Sequence, residues 1–149
     1  MIYSGMISGH LSCYLVLSGD KTWTWRPKKD GDSLYLDALT DDITCVARNG
    51  RFHWQVGNTY AVQPGRGKAA VGRIKIAEIL ERRPCDIRPG GLRLEGFRGT
   101  QLSLYDQFRA VLEGFYGGKI TRWDDVMEMP GYWLGFELVE GKIETADER

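Results

Sequence analysis

The 149-residue sequence predicts an α+β fold in which a mostly antiparallel sheet of about five or six strands curls into a barrel with flanking helices. Three patterns lead to this prediction. Polar and apolar residues alternate in the stretch DKTWTWR, an Asn-Gly pair separates two apolar arms, and one late segment has apolar residues at helical spacing. Hairpin-joined strands favour antiparallel pairing, and a sheet of this size often curls into a barrel to remove its edges.

The first predicted elements are a short helix and a strand. Apolar residues between His10 and Leu17 fit one helix, and Gly19 stands in the usual position just after a helix end. The alternation over Thr22–Arg26 then predicts a strand, closed by Pro27. Residues 28–42 are polar with a small apolar patch and predict no particular element.

The clearest local signal is the stretch ITCVARNGRFHWQV. Asn49-Gly50 is the preferred pair for a two-residue type I′ turn, because both central residues of that turn need a positive φ. The stretch therefore predicts a β-hairpin over Ile43–Val56.

The second half of the chain predicts three strands and a long helix. The segment Ala70–Leu80 has many β-branched residues and reads as a strand, although a helix over Ile76–Arg83 is the alternative there. Gly117-Gly118 ends the predicted long helix over Leu102–Phe115. The elements in order are a strand at Thr59–Gln63, a strand at Ala70–Leu80, a helix at Leu102–Phe115 and a strand at Trp133–Val139.

Length and composition favour one globular domain over residues 1–139, followed by a charged tail over 140–149. The three cysteines are widely spaced and form no Cys-x-x-Cys pair, so neither a zinc cluster nor a disulfide framework is expected. Reduced thiols are typical of a cytoplasmic protein. The amino-terminal stretch is interrupted by Gly and Ser, and it predicts neither a signal peptide nor a membrane span.

The charge distribution points to a local basic face on a neutral protein. The formal net charge is zero, with 20 basic and 20 acidic residues. Between Arg48 and Arg93, however, ten basic residues face only three acidic ones, and the tail from Glu137 is mostly acidic. Such a face suits the phosphates of a nucleic acid.

The alternating strand has two interpretations. Thr22, Thr24 and Arg26 share one face of the strand, and Trp23 and Trp25 share the other. Either the tryptophans pack in the core and the polar face is surface, or the polar face is the floor of a pocket. In the second case Arg26 would bind a phosphate, a carboxylate or a base edge, and a threonine would become a nucleophile beside a base.

Lys21 has the parity of the tryptophan face. It reaches the threonines only if it lies in the turn before the strand.

The loop Gln63–Lys68, QPGRGK, is either a solvated turn or a basic contact loop that offers Arg66 and Lys68 to a partner. It lacks the spacing of a P-loop. The two histidines, His10 and His53, have no Cys or acidic residue at ligand spacing, so no metal site or Ser-His-Asp arrangement is expected. Glu95 alone would read as an exposed loop carboxylate.

Trp54, Trp123 and Trp133 either stack on nucleobases or, as is commoner for tryptophan, lie buried in the core.

Four segments together resemble an ASCH domain, a member of the PUA-like superfamily, and the resemblance spans nearly the whole chain. Its most specific parts are the Lys-Thr-x-Thr-x-Arg element and the Glu-Gly-Phe turn before the late helix. The segments are LSGDKTWTWRP, ITCVARNGRFHWQVGNTYAVQPGRGKAAVGRIKIAEI, LEGF and YWLGFELV. The resemblance implies a PUA-like curled barrel that binds RNA or a nucleoside, without a cofactor.

The resemblance also implies a catalytic set. Some small bacterial ASCH proteins are amidohydrolases that deacetylate N4-acetylcytidine, and their lysine, threonine and glutamate match Lys21, Thr24 and Glu95. In that reading Thr24 attacks the acyl carbonyl, Lys21 takes the hydroxyl proton, and Glu95 orients the groups or protonates the leaving amine. This chain is longer than those members and places tryptophans where many of them have smaller or polar residues.

Three hypotheses follow, and the first is favoured. The first is an RNA or modified-nucleoside reader, and the second is the amidohydrolase. The third is a ribonuclease, which no histidine pair supports. The residues expected to bind the ligand are Thr22, Arg26, Arg66, Lys68 and Arg73.

Overall fold

A computed structural model describes residues 7–8, 10–64, 67–119 and 125–141 of the chain. In those ranges it has eight strands and three α-helices. They are β1 (Ile7–Ser8), α1 (His10–Leu17), β2 (Trp23–Pro27), β3 (Asp32–Leu36), β4 (Ile43–Arg48), β5 (Arg51–Gln55), β6 (Thr59–Gln63), β7 (Gly72–Glu81), α2 (Pro89–Leu94), α3 (Gln101–Tyr116) and β8 (Gly131–Gly141).

The strands form two sheets. The larger one has the order β1-β6-β7-β8-β2 and curls into a half-barrel, while β3-β4-β5 form a second sheet. Every pairing is antiparallel except that of β1 with β6. The predicted α+β class and the mostly antiparallel, curled sheet are therefore confirmed. The curled sheet is a half-barrel, with β1 and β2 at its edges.

All six predicted strands occur, and the helical alternative for Ile76–Arg83 is wrong because β7 continues through Glu81. The sequence missed β1, β3 and α2. β3 lies at the edge of its sheet with no fully buried residue, so it carries little apolar periodicity. β8 extends to Gly141, into the predicted tail, and residues 142–149 lie outside the described ranges.

Two cores pack on opposite faces of the larger sheet. The inter-sheet core contains Val46, Ile74, Ile76, Tyr132 and Leu134, and the helix-side core contains Trp25, Leu92, Leu104, Phe108 and Trp133. Thr24 pairs with Leu134 and Trp25 pairs with Trp133, so the strand alternation sends these side chains toward different cores. Trp25 is only 2% exposed, which confirms that it anchors β2.

The helix-side core depends on α3. Its buried residues Leu104, Phe108 and Leu112 recur every four positions and form one apolar stripe. The Thr100 side chain caps the helix by accepting a hydrogen bond from the Ser103 backbone N–H. This stripe holds α2 and α3 over the tryptophans of β2 and β8, and α2 carries Glu95 at its end.

Candidate functional site

Lys21 lies in the turn between α1 and β2, so the strand parity does not apply to it. Gly19, with φ of +83°, turns the chain after α1, and the Lys21 backbone N–H donates to the Leu15 carbonyl at 3.0 Å. The ammonium group then reaches Glu95, with Nζ 2.7 Å from Oε1. Lys21 could reach the threonine face only from the turn before the strand, and the structure places it in that turn.

Glu95 follows α2 and is 8% exposed, so the expectation of an exposed loop carboxylate is wrong. The next residue, Gly96, has φ of +109°, and a Cβ there would lie 2.8 Å from the Leu15 side chain. Only glycine accommodates both that backbone and that contact. The turn after α2 therefore packs closely on α1, which carries the chain into the Lys21 turn.

The Glu95 carboxylate accepts three hydrogen bonds. Lys21 Nζ and Thr24 Oγ1 donate to Oε1, at 2.7 and 2.8 Å, and the Trp25 backbone N–H donates to Oε2 at 3.1 Å. Because β2 is an edge strand, Glu95 supplies the acceptor that a neighbouring strand would otherwise provide. Both oxygens act as acceptors, which is the role of an ionised carboxylate.

Thr24 lies between Glu95 and Arg26. Its hydroxyl donates to Glu95 Oε1, and Arg26 Nη1 donates to Thr24 Oγ1 at 2.8 Å. Arg26 Nη1 also lies 2.8 Å from the Trp25 carbonyl oxygen, which fixes the guanidinium along the strand. A hydroxyl held by a carboxylate on one side and a guanidinium on the other is oriented for proton transfer to the carboxylate.

The cluster of Lys21, Thr24 and Glu95 is almost fully enclosed. Their exposed fractions are 8%, 0% and 8%. Charge interactions are stronger in such surroundings than in water. Removal of either Lys21 or Glu95 would leave the other charge buried without a partner and would destabilise the cluster.

Tyr116, at the end of α3, is a neighbour that the sequence did not point to. Its ring meets Trp25 edge-on, with ring centroids 6.0 Å apart. Burial raises the pKa of Tyr116, the charge of Arg26 lowers it and that of Glu95 raises it, so the phenol lies within the field of the cluster. One tyrosine on the apolar face of a helix carries no distinguishing sequence signal.

The predicted binding residues separate into two groups. Thr22 adjoins the cluster, with its backbone N–H on the Leu94 carbonyl at 2.8 Å. Arg73 instead bonds Thr59 at the far end of β7. It lies six positions along β7 from Ile79, which is level with Thr24 across β8, so about 20 Å of strand separates them.

The predicted contact loop lies at the same far end as Arg73. Lys68 is exposed there, and Arg66 lies outside the described residues.

The other aromatic and histidine candidates have structural positions. Trp54 and Trp133 are buried, 6% and 7% exposed, which agrees with their predicted place in the core, and Trp123 lies outside the described ranges. Burial lowers the pKa of His53, as does the neighbouring Arg48. In the described parts of the chain, no three His, Cys, Asp or Glu side chains converge as metal ligands, and no helix has the length and apolar character to cross a membrane.

Two solved structures share this fold. An ASCH domain from Lactobacillus crispatus JV V101 has a TM-score of 0.58 at 14% identity, over 87% of this chain and 71% of that one. A DUF984 protein from Enterococcus faecalis V583 also has a TM-score of 0.58, at 13% identity, over 89% of this chain and 72% of that one. No known family model and no curated protein matches the sequence.

Proposed function

Because the chain has an ASCH-like fold, we propose that it binds a modified nucleoside, free or within RNA, and hydrolyses an amide on its base. The proposed substrate class is the N4-acylated cytidines. We also propose that the chain is related to the RNA-binding proteins of the PUA-like superfamily. One observation carries it. In an enclosed cluster, the Lys21 ammonium and the Thr24 hydroxyl both donate to Glu95 Oε1, at 2.7 and 2.8 Å.

Glu95 suits the role of general base better than Lys21 does. The hydroxyl of Thr24 already donates to Glu95 Oε1, whereas Lys21 donates to that same oxygen and so acts as a cation. We therefore assign proton removal to Glu95. Lys21 holds the carboxylate in place and balances its charge. The role of general base, which the family resemblance implied for Lys21, therefore passes to Glu95.

The proposed reaction has two steps. Thr24 Oγ1 attacks the acyl carbonyl carbon while its proton passes to Glu95, and the carbon–nitrogen bond breaks as Glu95 returns that proton to the departing base amine. Water then attacks the carbonyl carbon of the acyl-threonine ester while one of its protons passes to Glu95. The ester C–O bond breaks as Glu95 returns that proton to Thr24 Oγ1, which releases the carboxylic acid and restores the hydroxyl. Arg26, already bonded to Thr24 Oγ1, stabilises the negative charge that develops beside it.

Substrate access requires a movement at the rim of the cluster, because Thr24 has no exposed surface. Arg26 and Tyr116 are the half-buried side chains beside it. We expect one of them to swing aside when a nucleoside enters, which would also let the guanidinium or the phenol contact the base.

The direct test is turnover of N4-acetylcytidine, followed as acetate and cytidine release. We expect Thr24→Val, which has the same shape without a hydroxyl, to lose at least about 10³-fold in kcat, and Thr24→Ser to retain measurable activity. Lys21→Ala and Glu95→Gln should be inactive as well. Ser33→Ala, which removes an exposed hydroxyl on β3, is the control and should keep kcat within about threefold.

A folded wild-type protein without turnover would reject the hydrolase and favour an RNA or nucleoside reader. One observation supports that second candidate. Five exposed arginines lie on the segment that joins β7 to α3, namely Arg82, Arg83, Arg88, Arg93 and Arg98. RNA binding through these residues should weaken steeply with added salt, because phosphate contacts release counterions. Binding that ignores salt would contradict the reader.

A further inference from the structure

A second cleft lies away from the cluster, where the two sheets diverge. It has a volume of about 650 Å³, which is in the range of protein ligand sites. One wall is the second half of β7, over Ala77–Glu81, and the other is the loop that leads from β3 into β4. Leu36, Ile43 and Val56 line it with apolar surface, and Leu36 is 53% exposed.

The β7 wall of this cleft is an open strand edge. β6 pairs with β7 only up to Lys75, and the Asn58 carbonyl then accepts from the Ile76 N–H. Beyond that residue, Glu78–Glu81 pair with β8 on one side while Ala77 lies at a bulge, and no strand in the described residues pairs with Ala77–Glu81 on the other side. At the end of the edge, Arg82 Nη1 caps the Glu81 carbonyl at 2.7 Å.

The cleft is rimmed by negative charge. Five exposed carboxylates line it, from Asp37, Asp41, Asp42, Glu78 and Glu81, against a single arginine, Arg82. Like charges repel a nucleic-acid backbone here. They also disfavour pairing of this edge with the same edge of a second copy, since that would bring the carboxylates of both chains together.

An open edge takes up an extended chain through backbone hydrogen bonds, and side-chain pockets on either side then select its sequence. From the unpaired edge, the apolar wall and the acidic rim together, we propose that this cleft binds an extended peptide rich in Lys and Arg. The peptide adds a strand to β7, with alternate side chains directed to the apolar wall and to the carboxylates. This interaction is independent of the amide hydrolysis proposed above.

The test is a titration of the full chain against a fluorescein-labelled octapeptide of alternating Lys and Val, followed by fluorescence anisotropy. Two control peptides are matched to it. One replaces each Lys by Glu, and the other carries N-methyl groups on every residue, so that neither of its edges can donate to β7. We expect saturable binding of the lysine peptide and at least about tenfold weaker binding of both controls.

Protein variants locate the site. Glu78→Lys combined with Asp42→Lys should weaken lysine-peptide binding by at least about tenfold, because two attractive charges become repulsive. Asp106→Lys, an exposed charge reversal on α3, is the matched control and should bind as the wild type does. Far-UV circular dichroism verifies that each variant is folded.

Amide hydrogen exchange separates strand addition from loose ionic association. The lysine peptide should slow exchange of those amides within Ala77–Glu81 that do not already donate to β8, since only an added strand protects them. Three results would each overturn the proposal: no binding, equal binding by the acidic peptide or the double variant, or binding without protection on β7.

Discussion

At the scale of single residues, Glu95 decides the character of the cluster. It lies 71 positions from Thr24 in the sequence, yet its carboxylate is the common acceptor of Lys21, Thr24 and the Trp25 backbone. The Lys-Thr-x-Thr-x-Arg pattern identified one side of this meeting, and the family resemblance supplied the other. Residue spacing alone could not, because Glu95 in isolation resembles a surface residue.

Glu95→Gln should destabilise the fold by about 3–5 kcal/mol, since Lys21 would be left buried without its counter-charge. Urea unfolding at neutral pH measures the difference. The control is Glu113→Gln, which removes an exposed charge 4.0 Å from Arg109 and should cost less than about 0.5 kcal/mol. Equal stabilities for the two variants would contradict a structural ion pair at Glu95.

At the scale of elements, the sequence predicted structure best where a turn type requires particular residues. Asn49 and Gly50 have φ of 55° and 79°, and Arg48 pairs directly with Arg51, as the two-residue turn requires. The edge strand β3 and the six-residue helix α2 were missed because tertiary packing, rather than periodicity or capping, holds them. The same limit hid Tyr116, whose place beside Trp25 depends on how α3 lies on the sheet.

Alanine substitutions at two glycines compare the cost of an unfavourable backbone φ with the cost of a steric clash. Gly50→Ala should cost about 1 kcal/mol of unfolding free energy, because its φ of 79° is unfavourable for alanine while no atom lies within 4 Å of the new Cβ. Gly135→Ala should cost about 1–3 kcal/mol, because its Cβ would lie 2.7 Å from the Trp23 ring.

Chemical denaturation measures both glycine variants. If Gly135→Ala were the milder, Trp23 would not be held tightly over β8.

At the scale of the whole molecule, a buried polar link fastens the second sheet to the larger one. Tyr132 on β8 donates its hydroxyl to Asp32 on β3 at 2.9 Å, and Arg48 Nε approaches the same carboxylate at 2.7 Å. Tyr132 and Asp32 are 100 positions apart, so this contact was beyond local prediction. Side chains rather than a strand ladder join the two sheets at this point.

This link should make stability depend on pH. Burial raises the pKa of Asp32, but hydrogen bonds from Arg48, the Lys29 backbone and Tyr132 outweigh burial and hold the pKa below its ordinary value. The stabilisation is therefore fully present above the unfolded-state pKa of about 4 and is lost as the pH falls through the lower folded-state pKa.

Asp32→Asn should cost about 3 kcal/mol at neutral pH, and its deficit relative to the wild type should shrink as the pH approaches 2. Urea unfolding across that pH range measures it. Asp30→Asn, an exposed neighbour, should be neutral throughout. A deficit that stayed constant with pH would mean that the Asp32 charge contributes nothing.

The stacked indoles of Trp23 and Trp133 give this molecule an optical signal of its own. Their ring centroids are 5.4 Å apart with planes inclined by 20°, and they bridge the edge strand β2 to β8. Transitions of two indoles this close couple, so the pair should produce an exciton couplet in circular dichroism. If β2 detaches before the rest of the sheet, as edge strands can, that couplet would fade while the backbone spectrum persists. The strand carrying Thr24 thus has a built-in reporter of its own release.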